Sequence, residues 1–304
     1  MKIFAPKYYQ NFKCVAGDCT HSCCVGWQIE VDQTALEKYA LLKGDYAKKI
    51  NESLTKRNAH FKLTKGKRCP HLDENGLCKI ISNYGEYYLC DICREHPRFY
   101  NRTTKGLEVG LGISCPTACK IVLTSDDYGI FIKVGESNFD ENLPLYDGAE
   151  HINDIFSTLA DRTTSLSERI AKIENLYGVS PARLSDERWK KYIGMLEFLT
   201  AQHKELFFNY TNDFKIEKGV ENIVERALAY FTYRHLPSAN NQNEFRKTLG
   251  FCLFCTRLLA SLINSTNTKT LDEIVNLAVT VSEEIEYSLD NQEIIRSAFE
   301  ILLY

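Results

Sequence analysis

Several common signatures are missing from this chain. Met1 to Gln10 lacks the apolar run of a secretory signal. No stretch approaches the roughly 20 apolar residues of a membrane span. No long Lys/Arg block of the nucleic-acid type occurs, nor does an internal repeat or low-complexity tract. Gly110-x-Gly112 lacks a third glycine, and Cys115-Pro116 stands where a dinucleotide loop would enter its helix. From Lys120 onward cysteine is nearly absent, with only Cys252 and Cys255. These absences predict a cytoplasmic protein with neither a membrane nor a nucleic-acid partner.

What is present is concentrated at one end. Of 12 cysteines in 304 residues, ten fall in the first 119: Cys14, Cys19, Cys23, Cys24, Cys69, Cys78, Cys90, Cys93, Cys115 and Cys119. A hydrophobic fraction of 44% and a charged fraction of 25% are those of an ordinary globular protein, one large domain or two small ones. Such a chain can bury a core without staples. Disulfides or metal must account for the cysteines, and the reducing cytoplasm favours metal. Net charge is −3, split between +6 for residues 1–119 and −9 for the rest. Lys and Arg that offset anionic metal thiolates explain the basic half better than nucleic acid does.

The pattern predicts a mainly α protein: an irregular Cys-rich metal-binding region with short β-hairpins (1–125), a connector (126–149, with Pro144 and a short strand at Ile130–Val134) and a helical bundle (150–304) on which the first region packs. Asp32 is placed to cap a helix through Leu36, Tyr39 and Leu42, and a second helix covers Asp45 to Leu54. Asn75-Gly76 is a turn that brings Cys69 and Cys78 to the same end. Gly85 to Arg94 reads as a helix, Arg98 to Ser114 as a hairpin turning near Lys105-Gly106. Pro116 suits the first turn of a helix capped by Ser114 or Cys115. Beyond residue 150, Ser165-x-x-Glu168 and Thr270-x-x-Glu273 are capping boxes. Helical periodicity runs through Trp189–Phe208, Ile223–Tyr233, Phe245–Ile263 and Leu271–Leu289, giving five to seven helices. Cys252 and Cys255 sit among apolar residues and read as core.

Thiolates suit zinc and iron–sulfur clusters. Cys90-x2-Cys93 and Cys115-x3-Cys119 have zinc-pair spacing, but on predicted helices, where the backbone resists wrapping a metal. Cys23 and Cys24 are adjacent, so their side chains diverge; they serve different metals, or one packs structurally. The Cys-x3-Cys-x2-Cys triplet of radical enzymes is absent, since the third position after Cys23 is Gly26. His21 and His71, each within two residues of a cysteine, could replace a thiolate on zinc or hydrogen-bond behind one. The run Arg94-Glu-His-Pro-Arg98 reads as donating bonds to thiolates or a carboxylate. Glu108 is a candidate acid or base.

The order Cys14, Cys19, Cys23-Cys24-x-Gly26-Trp27, then Cys69-Pro70-x-Leu72, Gly76-Leu77-Cys78, Cys93-x3-Pro97-Arg98 and Ser114-Cys115-Pro116 resembles the zinc- or iron-chelating family named for its CxxCxxCC run. More closely it resembles that family's flagellin lysine N-methylase branch, to which Tyr230-Phe-x-Tyr233-Arg234-His235-Leu236 is also similar. The resemblance implies a methyltransferase that uses S-adenosylmethionine on surface lysines of flagellin, with a [4Fe–4S] cluster. Its metal ligands are expected among Cys14, Cys19, Cys23, Cys24, Cys69, Cys78, Cys93 and Cys115. Cys90 and Cys119 look like additions of this chain. Eight thiolates exceed the needs of one cluster and leave room for a zinc or a second centre. Arg94, Arg98 and Glu108 are the candidate cofactor-binding residues; no catalytic residue is nominated. The rivals are a structural zinc or iron protein and a redox iron–sulfur protein. The enzyme alone requires a donor-sized concavity beside the metal.

Overall fold

The computed structural model describes residues 1–55, 59–137, 148–216 and 218–300. The chain divides into two compact units, Lys13–Arg98, and Met1–Phe12 with Phe99–Tyr304. Residues 1–12 and 99–125, which the sequence groups with the Cys-rich region, thus belong with the helices.

The unit Lys13–Arg98 has little regular structure. Its helices are α1 (Gln33–Leu41), α2 (Asp45–Ser53), α3 (Lys79–Tyr84) and α4 (Asp91–Glu95). Asp32 caps α1 as expected, its Oδ1 accepting from Ala35 N at 2.9 Å. Its Oδ2 also accepts from Asp91 N at 2.7 Å, so one carboxylate ties the starts of α1 and α4 together. The Asn75-Gly76 turn forms: Gly76 takes φ +75°, and Asp73 Oδ1 accepts from Asn75 N and Leu77 N. A bridge between Leu72 and Cys78 closes it. Gly85 to Arg94 is not one helix. Gly85, at φ +90°, and a 3₁₀ turn at Glu86–Tyr88 break it, and Cys90 becomes the N-cap of α4. A small core of Ile29, Val31, Tyr39, Ile50, Phe61 and Ile80 fills the centre.

The other unit carries one mixed sheet in place of separate hairpins. Strands β1 (Lys2–Pro6), β2 (Arg98–Thr103), β3 (Gly106–Leu111) and β4 (Phe131–Glu136) lie in the order β2-β3-β1-β4. The expected hairpin is β2–β3, and the connector strand is β4. Pairing of β1 with β3 is parallel, Ile3 opposite Leu107, and with β4 antiparallel. Gly110 is explained here without any dinucleotide: a Cβ would stand 2.2 Å from the Phe99 ring. Residues 138–147, with Pro144, lie outside the described residues.

Cys115 caps α5 (Pro116–Thr124), as Pro116 predicts. Then follow α6 (Ile152–Ala160), α7 (Leu166–Tyr177), α8 (Asp186–Met195), α9 (Ala201–Phe207), α10 (Glu221–His235), α11 (Gln242–Ser265), α12 (Leu271–Val281) and α13 (Leu289–Ser297). Both capping boxes form. After residue 150 the described residues hold eight α-helices, more than the five to seven expected. Two periodic runs each conceal a break. Thr200 caps a new start after Met195, and a π turn at Ser282–Glu286 ends α12 before Ser288 caps α13. Apolar periodicity continues across both breaks because the residues on either side face the same core. The expectation that no stretch approaches a membrane span needs correction. By length and composition α11, at 24 residues, passes that test, yet its most apolar window is 89% buried in the protein. It is the central helix, and Cys252 and Cys255 are wholly buried in it, as expected.

The segment Tyr230–Leu236 ends α10 in a buried polar knot. Glu286, in the π turn, accepts from the Tyr230 hydroxyl, His235 Nε2 (2.7 Å), Ser282 Oγ (2.6 Å) and Arg234 Nε (3.1 Å). Arg234 Nη1 donates in turn to the Tyr230 oxygen at 2.8 Å. Burial alone would raise the Glu286 pKa, but Arg234 and His235 hold it below the ordinary carboxylate value. Glu286→Ala should therefore destabilise the protein by about 3 kcal/mol at pH 7, since it leaves buried cationic and polar partners uncompensated. A folded-state pKa that is depressed gives stability present above the unfolded value of 4.5 and lost as pH falls. The gap between wild type and variant in urea denaturation should narrow below that pH. A gap that stays constant down to pH 3 contradicts this account.

Candidate metal centre

The loop Lys13–Trp27 holds four cysteines with different surroundings. Cys14 and Cys23 are exposed, whereas Cys19 and Cys24 are half-buried. Cys19 Sγ donates to His21 O at 2.9 Å, and Trp27 Nε1 donates to Cys23 O at 2.8 Å. Cys69 N donates to Cys24 O, which fastens the loop to the strand-like stretch before the Asn75 turn. Cys24 therefore points its half of the loop toward the unit's core.

Five thiols meet in that core. Cys69 and Cys90 are buried within it, and Cys24, Cys78 and Cys93 pack against it. They feel one another's charge. The thiols of Cys24, Cys78 and Cys90 help raise Cys69, and those of Cys90, Cys24 and Cys69 help raise Cys93. Burial is the main cause for Cys69, pushed up to about 12, and for Cys78. The pair Cys90 and Cys93 shares a hydrogen bond that lowers the first and raises the second. Cys24 is lowered to about 7, chiefly by a hydrogen bond from Cys23. The last two are thus in contact, although their side chains serve different surroundings.

The expected ligand set is divided by this arrangement. Cys24, Cys69, Cys78 and Cys93 are brought together. Cys14, Cys19 and Cys23 lie on the loop, and Cys115 lies in the other unit at the start of α5. Cys90, read from the sequence as an addition, joins the buried group. Its signal was the Cys90-x2-Cys93 spacing, discounted because a continuous helix was predicted there; the 3₁₀ turn and cap leave only a short helix after Cys90. Cys119 lies apart from this group, buried in the other unit's core with its thiol pushed well up by burial. Each of the twelve cysteines is a thiol, with no disulfide. Among the described residues no three His, Cys, Asp or Glu side chains stand in metal-ligating geometry.

The donor set nonetheless fits a soft metal group. Several thiols in one apolar setting cannot all ionise without a cation. One more observation points the same way: the Tyr39 hydroxyl is wholly buried in this core and has no hydrogen-bond partner. A buried hydroxyl without an acceptor is costly, and a sulfur of a bound group would supply one.

A cleft of about 770 Å³ in the same unit is lined among others by Tyr46, Lys49, Glu52, Ser53, Pro70, His71 and Lys79; Pro70 and Lys79 follow Cys69 and Cys78 in the chain. Ser53 Oγ donates to Ile50 O at 2.6 Å, so its proton is committed. His71 Nε2, 2.9 Å from that oxygen, is then the donor, and Nδ1 accepts from the Tyr46 hydroxyl at 2.9 Å. Burial, then Lys79, lowers His71 to about 4, which keeps it neutral at pH 7. Both ring nitrogens are used within the protein, so His71 is not a zinc ligand here. Its main-chain N–H donates to the Cys69 sulfur instead.

The chain matches the flagellar biosynthetic protein FliU of Salmonella muenchen at 29% identity over 133 residues, 41% of this chain and 79% of FliU. It matches the lysine-N-methylases of Salmonella choleraesuis and Salmonella typhimurium at the same identity over the same length, which is 33% of each. The chain is thus similar to proteins named lysine-N-methylase. No family model matches it, and no solved structure does. The match thus spans about a third of the length of the two lysine-N-methylases.

The other candidate residues are dispersed. Arg94 is engaged by Asp91 and, at 3.1 Å, by Glu95, the carboxylate alternative of the sequence reading. Arg98 Nη1 donates to Arg94 O at 3.4 Å. Glu108 is half-buried on β3, opposite Phe4 of β1, in the other unit. Tyr39, Tyr46 and Ser53 were missed as site residues, because each reads only as a periodic helix position. For the thiols the test is chemical. In reduced, metal-free protein, alkylation of Cys24 should rise with a midpoint near pH 7. Cys69, raised to about 12, should resist modification through pH 9. Mass spectrometry of tryptic peptides reads both, and equal rates at the two sites would refute the asymmetry.

Proposed function

We propose that this chain is an S-adenosylmethionine-dependent protein lysine N-methyltransferase acting on flagellin, with an iron–sulfur cluster held by thiols of the Lys13–Arg98 unit. The observation that carries the reading is the group of thiols in the core, with a cleft of about 770 Å³ in the same unit, a size usual for small-molecule sites. The names of the relatives, lysine-N-methylase and flagellar biosynthetic protein, support it.

In the reaction the lysine ε-amine, deprotonated, attacks the donor methyl carbon. The carbon–nitrogen bond forms as the carbon–sulfur bond breaks, the sulfonium leaves as a neutral thioether, and the methylated ammonium releases its extra proton to water. In the proposed cleft, Lys49 and Lys79 would meet the donor's carboxylate and Glu52 its amino group. Neutral His71, fixed by Tyr46 and Ser53, gives the wall a set shape without adding charge beside the sulfonium. Thiols among Cys24, Cys69, Cys78, Cys90 and Cys93 would hold the cluster, which would supply a redox-active iron–sulfur group to the unit. Such thiols need a reducing compartment.

Anaerobically purified protein should contain iron and acid-labile sulfide, and should transfer label from S-adenosylmethionine to flagellin of the same cell. Cys90→Ser should lose bound iron as fully as Cys93→Ser, while Cys14→Ser keeps it. Lys49→Glu should weaken donor binding about tenfold in calorimetry, or about 1.4 kcal/mol, with iron content unchanged. Zinc as the sole metal would sink the cluster, and no transfer by iron-replete protein would count against methylation.

A further inference from the structure

Tyr39 is unlike every other tyrosine in its unit. The Tyr46 hydroxyl is committed to His71 and the Tyr84 hydroxyl to Lys43 O. Tyr39 lies on α1, wholly buried, with its ring tilted against Phe61 at 6.3 Å. It shares one apolar cluster with the five thiols. Its helix is clamped to the Cys90 end of α4 through the Asp32 carboxylate, so its position relative to Cys90 and Cys93 is fixed by more than packing. Burial, then Cys90, Cys93 and Cys78, push its phenol above the ordinary tyrosine range, which keeps the proton on the oxygen. The result is a permanent O–H donor, wholly buried and without an acceptor, within electrostatic reach of three of the thiols. Selection of phenylalanine at such a place would remove the desolvation cost at almost no change in shape; the hydroxyl therefore needs a use.

We propose that the Tyr39 hydroxyl donates a hydrogen bond to a sulfur of the group that these thiols hold, and thereby favours its reduced state. This rests on the iron–sulfur reading of the core and goes beyond it by assigning a tuning residue that is not a ligand. Hydrogen bonds to cluster sulfurs offset the charge added on reduction and are among the determinants of cluster potential. Tyr39 is a positioning residue in this account, since it touches neither the donor nor the lysine.

The experiment compares full-length wild type, Tyr39→Phe and a control, Tyr84→Phe, with and without metal. In the metal-free proteins Tyr39→Phe should melt at the same temperature as wild type or higher, because no bond is lost. After anaerobic reconstitution it should bind the same iron and sulfide, and its one-electron midpoint should move negative. A tenfold fall in the reduced-to-oxidised ratio at the wild-type midpoint corresponds to about 59 mV. Tyr84→Phe should leave the midpoint in place. An unchanged midpoint in loaded Tyr39→Phe overturns the inference and leaves the cluster standing. So does a lower melting temperature of metal-free Tyr39→Phe, which would reveal a protein acceptor for the hydroxyl. Wild type that takes up no iron, or zinc alone, overturns the cluster reading and this inference with it.

Discussion

Several thiols crowded into one apolar core pose a charge problem that the rest of the Lys13–Arg98 unit must answer. Protonated, they are small hydrophobes with weak donors. Ionised, they repel one another across a medium that screens poorly. Without a metal the protein answers by sharing protons: Cys23 donates to Cys24, Cys93 to Cys90, and Cys69 stays protonated. A soft cation answers it better, because it draws the protons off and satisfies every sulfur together. Arg68 and the main-chain N–H groups of His71, Ile80 and Ile81, which favour thiolates, are arranged as if for that state.

The scaffold that holds these thiols is built from short-range devices, since among its described residues the unit has no sheet of its own and only short helices. Asp32 joins two helix starts, Asp73 folds the Asn75 turn, and positive φ at Gly76 and Gly85 sets where the chain reverses and where α4 begins. Each device sits within a few residues of a cysteine. Such local control is what a small core needs when its centre is made of side chains that gain most from a bound group.

Much of this was legible beforehand, and the misses have a common cause. Asp32, Asn75-Gly76, Pro116, Ser165 and Thr270 are local chemical signals, and all five act as read. Cys252 and Cys255 were correctly separated from the rest by their apolar neighbours. The breaks at Thr200 and at Ser282–Glu286 were invisible because hydrophobic periodicity reports which face is buried and not whether the backbone is continuous. Cys90 was set aside because the resemblance does not include it, and its zinc-pair spacing was discounted because a helix was extended through Gly85 and Glu86 on pattern alone. Long-range facts had no local signal. That β1 runs parallel to β3, or that Cys115 and Cys93 belong to different units, follows from tertiary pairing.

The two buried polar centres of this chain show how structure and function can be told apart on bonding alone. Around Glu286 the accounts close: the carboxylate takes four donors, and Tyr230 both gives and receives. Nothing there asks for a further partner, so that centre reads as a device for fixing α10 against the π turn. Around Cys90 the accounts stay open. Cys93 shares its proton with Cys90, and a buried hydroxyl has no acceptor. Because natural cores seldom leave a buried donor unmet, the open centre is the one that the proposed bound group would complete.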